Sequence, residues 1–416
     1  MKKLSPQASL LLSLALSSGC AARTAQPTTP NKVVEMEALR IVAKHDEAGN
    51  YSFESYDAEE LFQRANSELD AGRCQSAVPL YDRITGEFAS SQYASAAYYN
   101  AGLCLAQLGD KAGALAHFEA LIAALPGSPD VKHATFQAGH LRTDMGEWEQ
   151  ALSLSDSLLA RADLDGAERV EAMAMRSQAL LGRNDLEAAE RQAQQTLTYY
   201  RTHPEDLATD PYYAAAANFV VAETIRLRAE AMAFPDTNQD EQRAVLVKRA
   251  QMLLDAQREY FNAVRFTNAH WAAASGNRIG AMYDKLWHDL MGAPVPKTLS
   301  EPAKAVYPQE LAKLIKPLLR HAIRYWELTL MMVERTGVQT EWAEATRKDL
   351  ERTRTLLLEQ PPGLGGLPAE VAKPAVSSPA PEPASAPSPS SAPATVPATS
   401  PGTSNDPASM RTSGAP

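Results

Sequence analysis

The chain has 416 residues, 45% of them hydrophobic and 22% charged, and a formal net charge of -10. That length allows two ordinary domains or one array of repeats. Nucleic-acid binding needs clustered Lys and Arg to neutralise phosphates, and an acidic chain is poorly suited to it. We therefore expect no DNA or RNA partner.

The N-terminus has the pattern of an export signal. Lys2 and Lys3 precede an apolar run over residues 10–16, which is too short to span a bilayer, and small residues then lead to Cys20. This segment resembles a bacterial lipoprotein signal peptide, although Ser17 stands where the usual motif has leucine. The alternative is an ordinary secretory signal that happens to contain a cysteine.

The lipoprotein resemblance implies a signal peptide over residues 1–19, acyl chains such as palmitate on Cys20, and a lipidated tether over residues 20–38. Ala21 follows the cysteine where an aspartate would retain the protein in the inner membrane, so the resemblance favours an outer-membrane anchor on the periplasmic face. Next along the chain, short stretches on either side of a turn at residues 46–50 predict a β-hairpin or extended cap over residues 39–57.

Self-similarity dominates the region from residue 58 to about 200. The string GDKAGALAHFEALIAALP around Ala114 looks like the second helix of a tetratricopeptide repeat (TPR). The pattern recurs around Ala77, Ala151 and Ala189, at spacings of 37, 37 and 38 residues. The resemblance implies four helical hairpins, stacked into an all-α solenoid whose core forms between neighbours. A generic helical bundle is the alternative.

Residues 211–360 keep a helical pattern without clear TPR motifs, which predicts a C-terminal TPR-like region. Its five helices are expected over residues 211–234, 240–266, 268–290, 308–335 and 339–359. Pro317 should kink or split the fourth of these helices. The strings NRIGAMYDKL, GAPVPKTLS and ERTGV resemble the C-terminal halves of bacterial TPR envelope lipoproteins, including some of gliding-motility complexes.

Residues 361–416 contain no Phe, Trp or Tyr and are mostly Pro, Ala, Ser and Thr. Such a segment cannot bury enough apolar surface to offset its chain entropy, so a disordered tail is predicted. The tail either reaches into the cell-wall mesh or serves as a solubilising spacer.

Motifs that carry catalytic chemistry are missing from the sequence. There is no phosphate-binding glycine loop, metalloprotease helix motif, nucleophile elbow or Cys-x-x-Cys pair. His133 and His140 lie seven residues apart on one predicted helix, but a metal site would need further ligands nearby. We expect no enzyme activity, cofactor, metal or small-molecule substrate.

The TPR resemblance implies a protein-binding groove along the first helix of each repeat. Phe62, Tyr99 and Phe136 occupy the same repeat position and would form an exposed aromatic ladder, which suits an interface. The alternative is that the N-terminal segment or the C-terminal helices already cover this face. The candidate groove residues, with Glu59 and Leu69 at its N-terminal end, are Phe62, Asn66, Tyr99, Leu103, His133, Phe136, His140 and Gln178.

The repeat alignment also places two cysteines on neighbouring antiparallel helices. Cys74 falls early in the second helix of repeat one, and Cys104 late in the first helix of repeat two. A disulfide between them is one prediction, and two buried free thiols are the alternative.

Three functions follow from these features. The first is a lipid-anchored envelope scaffold, with gliding-motility and other trans-envelope complexes as candidates. The second is an accessory factor of peptidoglycan or outer-membrane biogenesis. The third is a secreted regulator without an anchor.

Overall fold

The computed structural model describes residues 38–45, 51–204 and 211–359. The predicted signal peptide with Cys20, the tether up to residue 37 and the tail over residues 361–416 lie outside these ranges. Within them, two antiparallel strands precede thirteen α-helices. The strands are β1 (Arg40–His45) and β2 (Tyr51–Tyr56), and the helices are α1 (Ala58–Asp70), α2 (Cys74–Glu87), α3 (Ala94–Gln107), α4 (Lys111–Ala124), α5 (Val131–Asp144), α6 (Trp148–Leu159), α7 (Gly166–Gly182), α8 (Leu186–Thr202), α9 (Tyr212–Glu230), α10 (Gln239–Val264), α11 (Ala269–Met291), α12 (Glu301–Thr336) and α13 (Glu341–Glu359).

Successive helices pack as hairpins, from α1 with α2 to α11 with α12, and α13 ends the stack. Each even-numbered helix packs on the odd-numbered helices before and after it. From α5 onward, each odd-numbered helix also contacts the next odd-numbered one. The odd-numbered helices are therefore the inner row of the stack and the even-numbered ones the outer row. The predicted all-α solenoid is confirmed.

The turn inside each of the first four hairpins has the same backbone conformation. Gly72, Gly109 and Gly146 have φ angles of 71°, 84° and 75°, and Asn184 has a φ of 61° at the corresponding place. This left-handed region is open to glycine and tolerated by asparagine, but it strains other residues. The left-handed backbone of these turns thus explains the three glycines, and the fourth repeat has Asn184, a residue that also tolerates this conformation.

The β-hairpin packs on the first repeat through its last residue. The Tyr56 ring lies 6.1 Å from that of Phe88, and the Arg83 guanidinium lies 4.0 Å from the Tyr56 ring centre. The Tyr56 hydroxyl donates to Glu87 at 2.6 Å. These contacts hold the hairpin at the N-terminal end of the stack.

The predicted split at Pro317 is wrong, because α12 runs unbroken from Glu301 to Thr336, and a kink at this residue stays a prediction. A proline inside a helix costs about 3 kcal/mol. The helix buries Ile315 and Leu319 on either side of Pro317, and Trp326, two turns beyond Leu319, has no exposed surface. Burial of these large side chains offsets the lost hydrogen bond.

A buried ionic cluster joins α9, α10 and α11. Glu223 is 4% exposed, and its carboxylate lies 2.6 Å from Arg226 and 3.2 Å from Arg278. The Tyr260 hydroxyl also donates to it. Burial alone would raise the pKa of Glu223, but the two guanidinium groups outweigh it and hold this pKa below its ordinary value. The cluster keeps a charged carboxylate inside the second half of the stack.

Candidate protein-binding groove

The inner row of helices carries the residues predicted to line the groove. At its N-terminal end, the Phe62 ring of α1 stacks on Tyr93 at 5.0 Å and lies 6.1 Å from Tyr81. Asn66 accepts a hydrogen bond from the Tyr81 hydroxyl at 2.6 Å. Phe62 and Asn66 are half-buried, whereas Leu69 is buried in the core of repeat one. Phe62 and Asn66 therefore each keep part of their side chain accessible to a binding partner.

Tyr99 and Leu103 on α3 are also half-buried. The Tyr99 ring lies tilted on Phe118 at 5.6 Å. Burial raises the pKa of Tyr99, and the carboxylates of Asp130 and Glu171 act in the same direction. Tyr99 is thus a neutral aromatic donor on a surface with acidic neighbours.

The predicted aromatic ladder is wrong at Phe136. This residue is 4% exposed and packs in a core cluster with Leu158, Ala172 and Met175. The cause is the direct contact of α7 with α5, which covers the repeat position that α1 and α3 leave partly open. Phe136 is a core residue between repeats three and four.

The two histidines of α5 have different surroundings. His133 is exposed, whereas half-buried His140 lies 2.6 Å from a Glu171 carboxylate oxygen. The Tyr213 hydroxyl donates to the same oxygen at 2.8 Å and lies 3.2 Å from the His140 ring nitrogen. His140 therefore ties α5, α7 and α9 together through its Nε2 atom. Gln178 on α7 is half-buried.

The groove ends at α9. All eleven residues from Ala214 to Thr224 are buried, so this helix offers no open side along that stretch. Trp342, at the start of α13, lies 6.1 Å from Phe219 of α9, and the Arg278 guanidinium lies over its ring at 4.9 Å. The C-terminal helices therefore pack against α9, beyond the predicted groove residues of α1, α3, α5 and α7. The open part runs along α1, α3, α5 and α7.

An aromatic row lies at the boundary, and the sequence reasoning missed it. His140 stacks on Tyr213 at 5.8 Å, and Tyr212 then lies 5.0 Å from Tyr213 and 5.6 Å from Trp271. Burial lowers the pKa of neighbouring His270, while Glu341 and Asp144 act against that shift. In the sequence, this row is visible only as two tyrosines directly after Pro211, at the start of a helix. The TPR pattern does not predict that they lie on the inner row.

A metal site needs several ligating side chains close together, and a membrane-spanning helix needs a long apolar stretch. Within the described ranges, no group of three or more His, Cys, Asp and Glu side chains is placed to hold a metal ion. Across the same part of the chain, no helix is both long and apolar enough to cross a membrane. What the surface offers is aromatic rings, amides and carboxylates for contact with another macromolecule.

The two internal cysteines meet between the first two repeats. Cys74 at the start of α2 and Cys104 late in α3 form a disulfide, with their Cα atoms 5.0 Å apart. Both residues are buried. The bridge fixes repeat one against repeat two in the core cluster on which Phe62 packs.

Comparison with known families identifies the repeat. Residues 62–129 match a tetratricopeptide-repeat model. This segment of the chain is therefore a tetratricopeptide-repeat segment. The matched segment runs from Phe62 of α1 past the end of α4, so it contains the N-terminal half of the open groove.

Solved TPR structures resemble the chain at low identity. A TPR protein from Parabacteroides merdae is 17% identical, with 71% of this chain and 98% of that one covered and a TM-score of 0.37. The C-terminal part of a TPR protein from Cytophaga hutchinsonii is 10% identical, with 68% and 98% covered and a TM-score of 0.34. MamA from Desulfovibrio magneticus RS-1 is 15% identical, with 49% and 96% covered and a TM-score of 0.34. These likenesses carry no conclusion about function. No curated protein matches the chain at a significant level.

Proposed function

We propose that this protein is a lipid-anchored scaffold of the bacterial envelope, which holds a segment of another envelope protein in its TPR groove. TPR repeats mediate protein–protein interactions, and residues 62–129 belong to this class. The observation that carries the proposal is the partly open inner face of α1, α3, α5 and α7. It ends at the buried helix α9 and presents Phe62, Tyr99 and His133.

Export is supported by two separate features. The N-terminus resembles a lipoprotein signal peptide ending at Cys20, and Cys74 pairs with Cys104. Disulfides persist in oxidising compartments such as the periplasm and are rare in the cytosol. A lipid on Cys20 would tether the repeats to the outer membrane from its periplasmic side, because several acyl chains together anchor a protein stably.

The pathway is the finer part of the proposal. The strings NRIGAMYDKL and GAPVPKTLS, which fall in α11 and the connection after it, resemble those of gliding-motility envelope lipoproteins. We therefore place the scaffold in a gliding-motility or other trans-envelope complex. It acts by contact alone, without a catalytic step.

Affinity purification after crosslinking in living cells tests this proposal. The tagged, lipidated protein is compared with a groove variant carrying Tyr99→Ser, His133→Ala and Gln178→Ala. The matched control is Glu187→Ala on outer helix α8, a residue 80% exposed in its side chain and paired only with a surface arginine. Partner recovery should fall at least tenfold for the groove variant and stay unchanged for the control.

Equal recovery from the groove variant would contradict the groove as the binding surface. Recovery of cell-wall enzymes alone would transfer the protein to the alternative role in peptidoglycan or outer-membrane biogenesis. Separately, the Cys20→Ala protein should leave the membrane fraction and lose palmitate labelling. If it stays in the membrane fraction, the lipid anchor is wrong.

A further inference from the structure

A second groove lies on the opposite side of the stack, between outer helices α10 and α12. Its floor is α11, through Met282, Tyr283 and Leu286, and its walls include Ala250 of α10 and Leu318 of α12. We call this the outer groove. A cavity of about 170 Å³ lies within it, and its lining is almost entirely apolar.

Polar contacts brace one part of the outer groove. The Gln257 side chain of α10 donates to the Tyr325 hydroxyl of α12 at 2.9 Å and accepts from the Tyr283 hydroxyl at 2.8 Å. The Tyr283 and Tyr325 rings stack in parallel at 5.7 Å. This bridge fixes the spacing of the two walls, so the groove is a preformed feature of the fold.

Large apolar side chains stand exposed on both rims. On α10, Val247 is 63% and Leu254 is 55% exposed, and on α12, Leu314 is 62% exposed. Phe261, Leu328 and Met331 are exposed on the same two helices. Large apolar side chains exposed on the two helices that flank an apolar cavity indicate an interaction site.

The spacing of these side chains matches the interface of a coiled coil. Along α10, exposed residues at 247, 254 and 261 alternate with half-buried ones at 250, 257 and 264. Along α12, exposed residues at 314, 321 and 328 alternate with half-buried ones at 311, 318, 325 and 332. Steps of three and four residues are the heptad pattern with which a third helix interdigitates. Two such rows side by side leave a place for one more helix.

The charge around the outer groove is opposite to that of the whole chain. In the described part of the chain, Lys248, Arg320 and Arg324 have no carboxylate partner, although the chain as a whole carries a net charge of -10. Three acidic residues of these helices are paired within the chain: Asp255 with Arg258, Glu310 with Lys313, and Glu327 with Arg354. The apolar rims are thus flanked by free positive charge.

We propose that the outer groove binds an amphipathic helix of a partner protein, one with apolar residues in heptad spacing and acidic residues on its flanks. The heptad rows select a helix, and the unpaired cations select acidic flanks. A flat lipid surface would reach Val247 and Leu314 on the rims but not Leu318 or Met282 below them. The protein would then hold one partner in the inner groove and a second on its outer side.

Two synthetic three-heptad peptides test this proposal with the full chain. Both carry leucines in the heptad positions, and one has glutamates on its flanks where the other has lysines. Fluorescence anisotropy should show at least tenfold tighter binding of the glutamate peptide. Leu254→Ser with Leu314→Ser, at two exposed positions that the fold does not need, should weaken that binding at least tenfold with unchanged circular dichroism.

A charge-reversed variant separates electrostatic selection from general stickiness. Lys248→Glu, Arg320→Glu and Arg324→Glu together should reverse the preference, so that the lysine peptide binds more tightly. Failure of both peptides to bind, or binding unaffected by the leucine changes, would overturn the proposal. These results are independent of the groove on the inner row and of the lipid anchor.

Three other outcomes would assign the outer groove to a different occupant and also overturn the proposal. Dimers in sedimentation that the leucine changes dissociate would make a second copy the occupant. Binding of anionic phospholipid vesicles through the same leucines would make a lipid surface the occupant. If the peptide binds only after removal of residues 360–416, the occupant of the outer groove is the C-terminal tail of this chain.

Discussion

Gly102 lies where the two helices of repeat two, α3 and α4, approach each other, and it should not tolerate a larger side chain. A Cβ added there would lie 2.7 Å from the Cε1 and Cζ atoms of Phe118, and real Cβ atoms essentially never come this close to another heavy atom. Phe118 has no exposed surface and belongs to the same core cluster as Leu121 and Leu141, so its ring has little room to move away. Gly102→Ala therefore forces α3 and α4 apart.

The magnitude follows from two opposing terms. Overpacking a well-filled core typically costs about 1–3 kcal/mol. Replacing a helical glycine by alanine returns about 0.5–1 kcal/mol of helix propensity. We expect Gly102→Ala to lower the free energy of unfolding by about 1 kcal/mol, the difference of these terms near their middle values.

The matched control is Gly86→Ala, the same change in helix α2. A Cβ there would meet nothing within 4 Å, so only the propensity term acts and the variant should gain about 0.5–1 kcal/mol. Urea unfolding followed by circular dichroism measures both variants against the unchanged protein. If Gly102→Ala stabilises the protein as Gly86→Ala does, the close approach of α3 and α4 is wrong.

Three further variants test the core, each by urea unfolding. Removing the disulfide with Cys74→Ala and Cys104→Ala should cost about 3–4 kcal/mol on the chain-entropy account, since the bridge closes a loop of 30 residues; an unchanged midpoint would show that the two sulfurs are not bonded. Glu223→Gln should cost about 1.5–3 kcal/mol at pH 7, because it removes the buried charge that accepts from Arg226 and Tyr260, while Arg226 keeps Glu230 as a second partner. The folded pKa of Glu223 is depressed, so its contribution to the free energy of unfolding is present above the unfolded pKa of about 4.5 and is lost as the pH falls through the folded pKa. The free energies of unfolding of the variant and the unchanged protein should therefore become equal in acid. A difference that stays constant with pH would contradict the depressed pKa. Phe136→Ala should lower the free energy of unfolding by about 3–5 kcal/mol, because it opens a cavity in the core. If the variant keeps its full stability and loses partner binding, Phe136 is a groove residue and not a core residue.

The repeat pattern predicted the fold because the same constraint recurs in every hairpin. Small residues where helices cross and left-handed turns at Gly72, Gly109 and Gly146 leave a trace in the sequence. The cysteine pairing could be predicted for the same reason, since repeat positions translate directly into neighbours in space. Asn184 shows the limit of the pattern, because a different residue adopts the same backbone conformation.

The groove was harder to predict because exposure depends on the neighbouring repeat. Phe62, Tyr99 and Phe136 share one repeat position, yet only Phe136 is buried, because α7 packs directly against its helix. Likewise, Trp342 reaches α9 from more than a hundred residues away in the sequence and helps to close the second half of the inner row. Such long-range contacts set which part of the surface is open, and no local pattern encodes them.

The proposed groove is tested most directly by photocrosslinking in living cells. A benzoyl-phenylalanine is placed at Tyr99 on the inner face, and in a second strain at Glu187 on outer helix α8. We predict that irradiation joins the Tyr99 variant to a partner protein, which mass spectrometry then identifies, and that the Glu187 variant yields no such adduct. An adduct from Glu187 alone, or none from Tyr99 in cells where affinity purification recovers the partner, would contradict binding through the TPR groove.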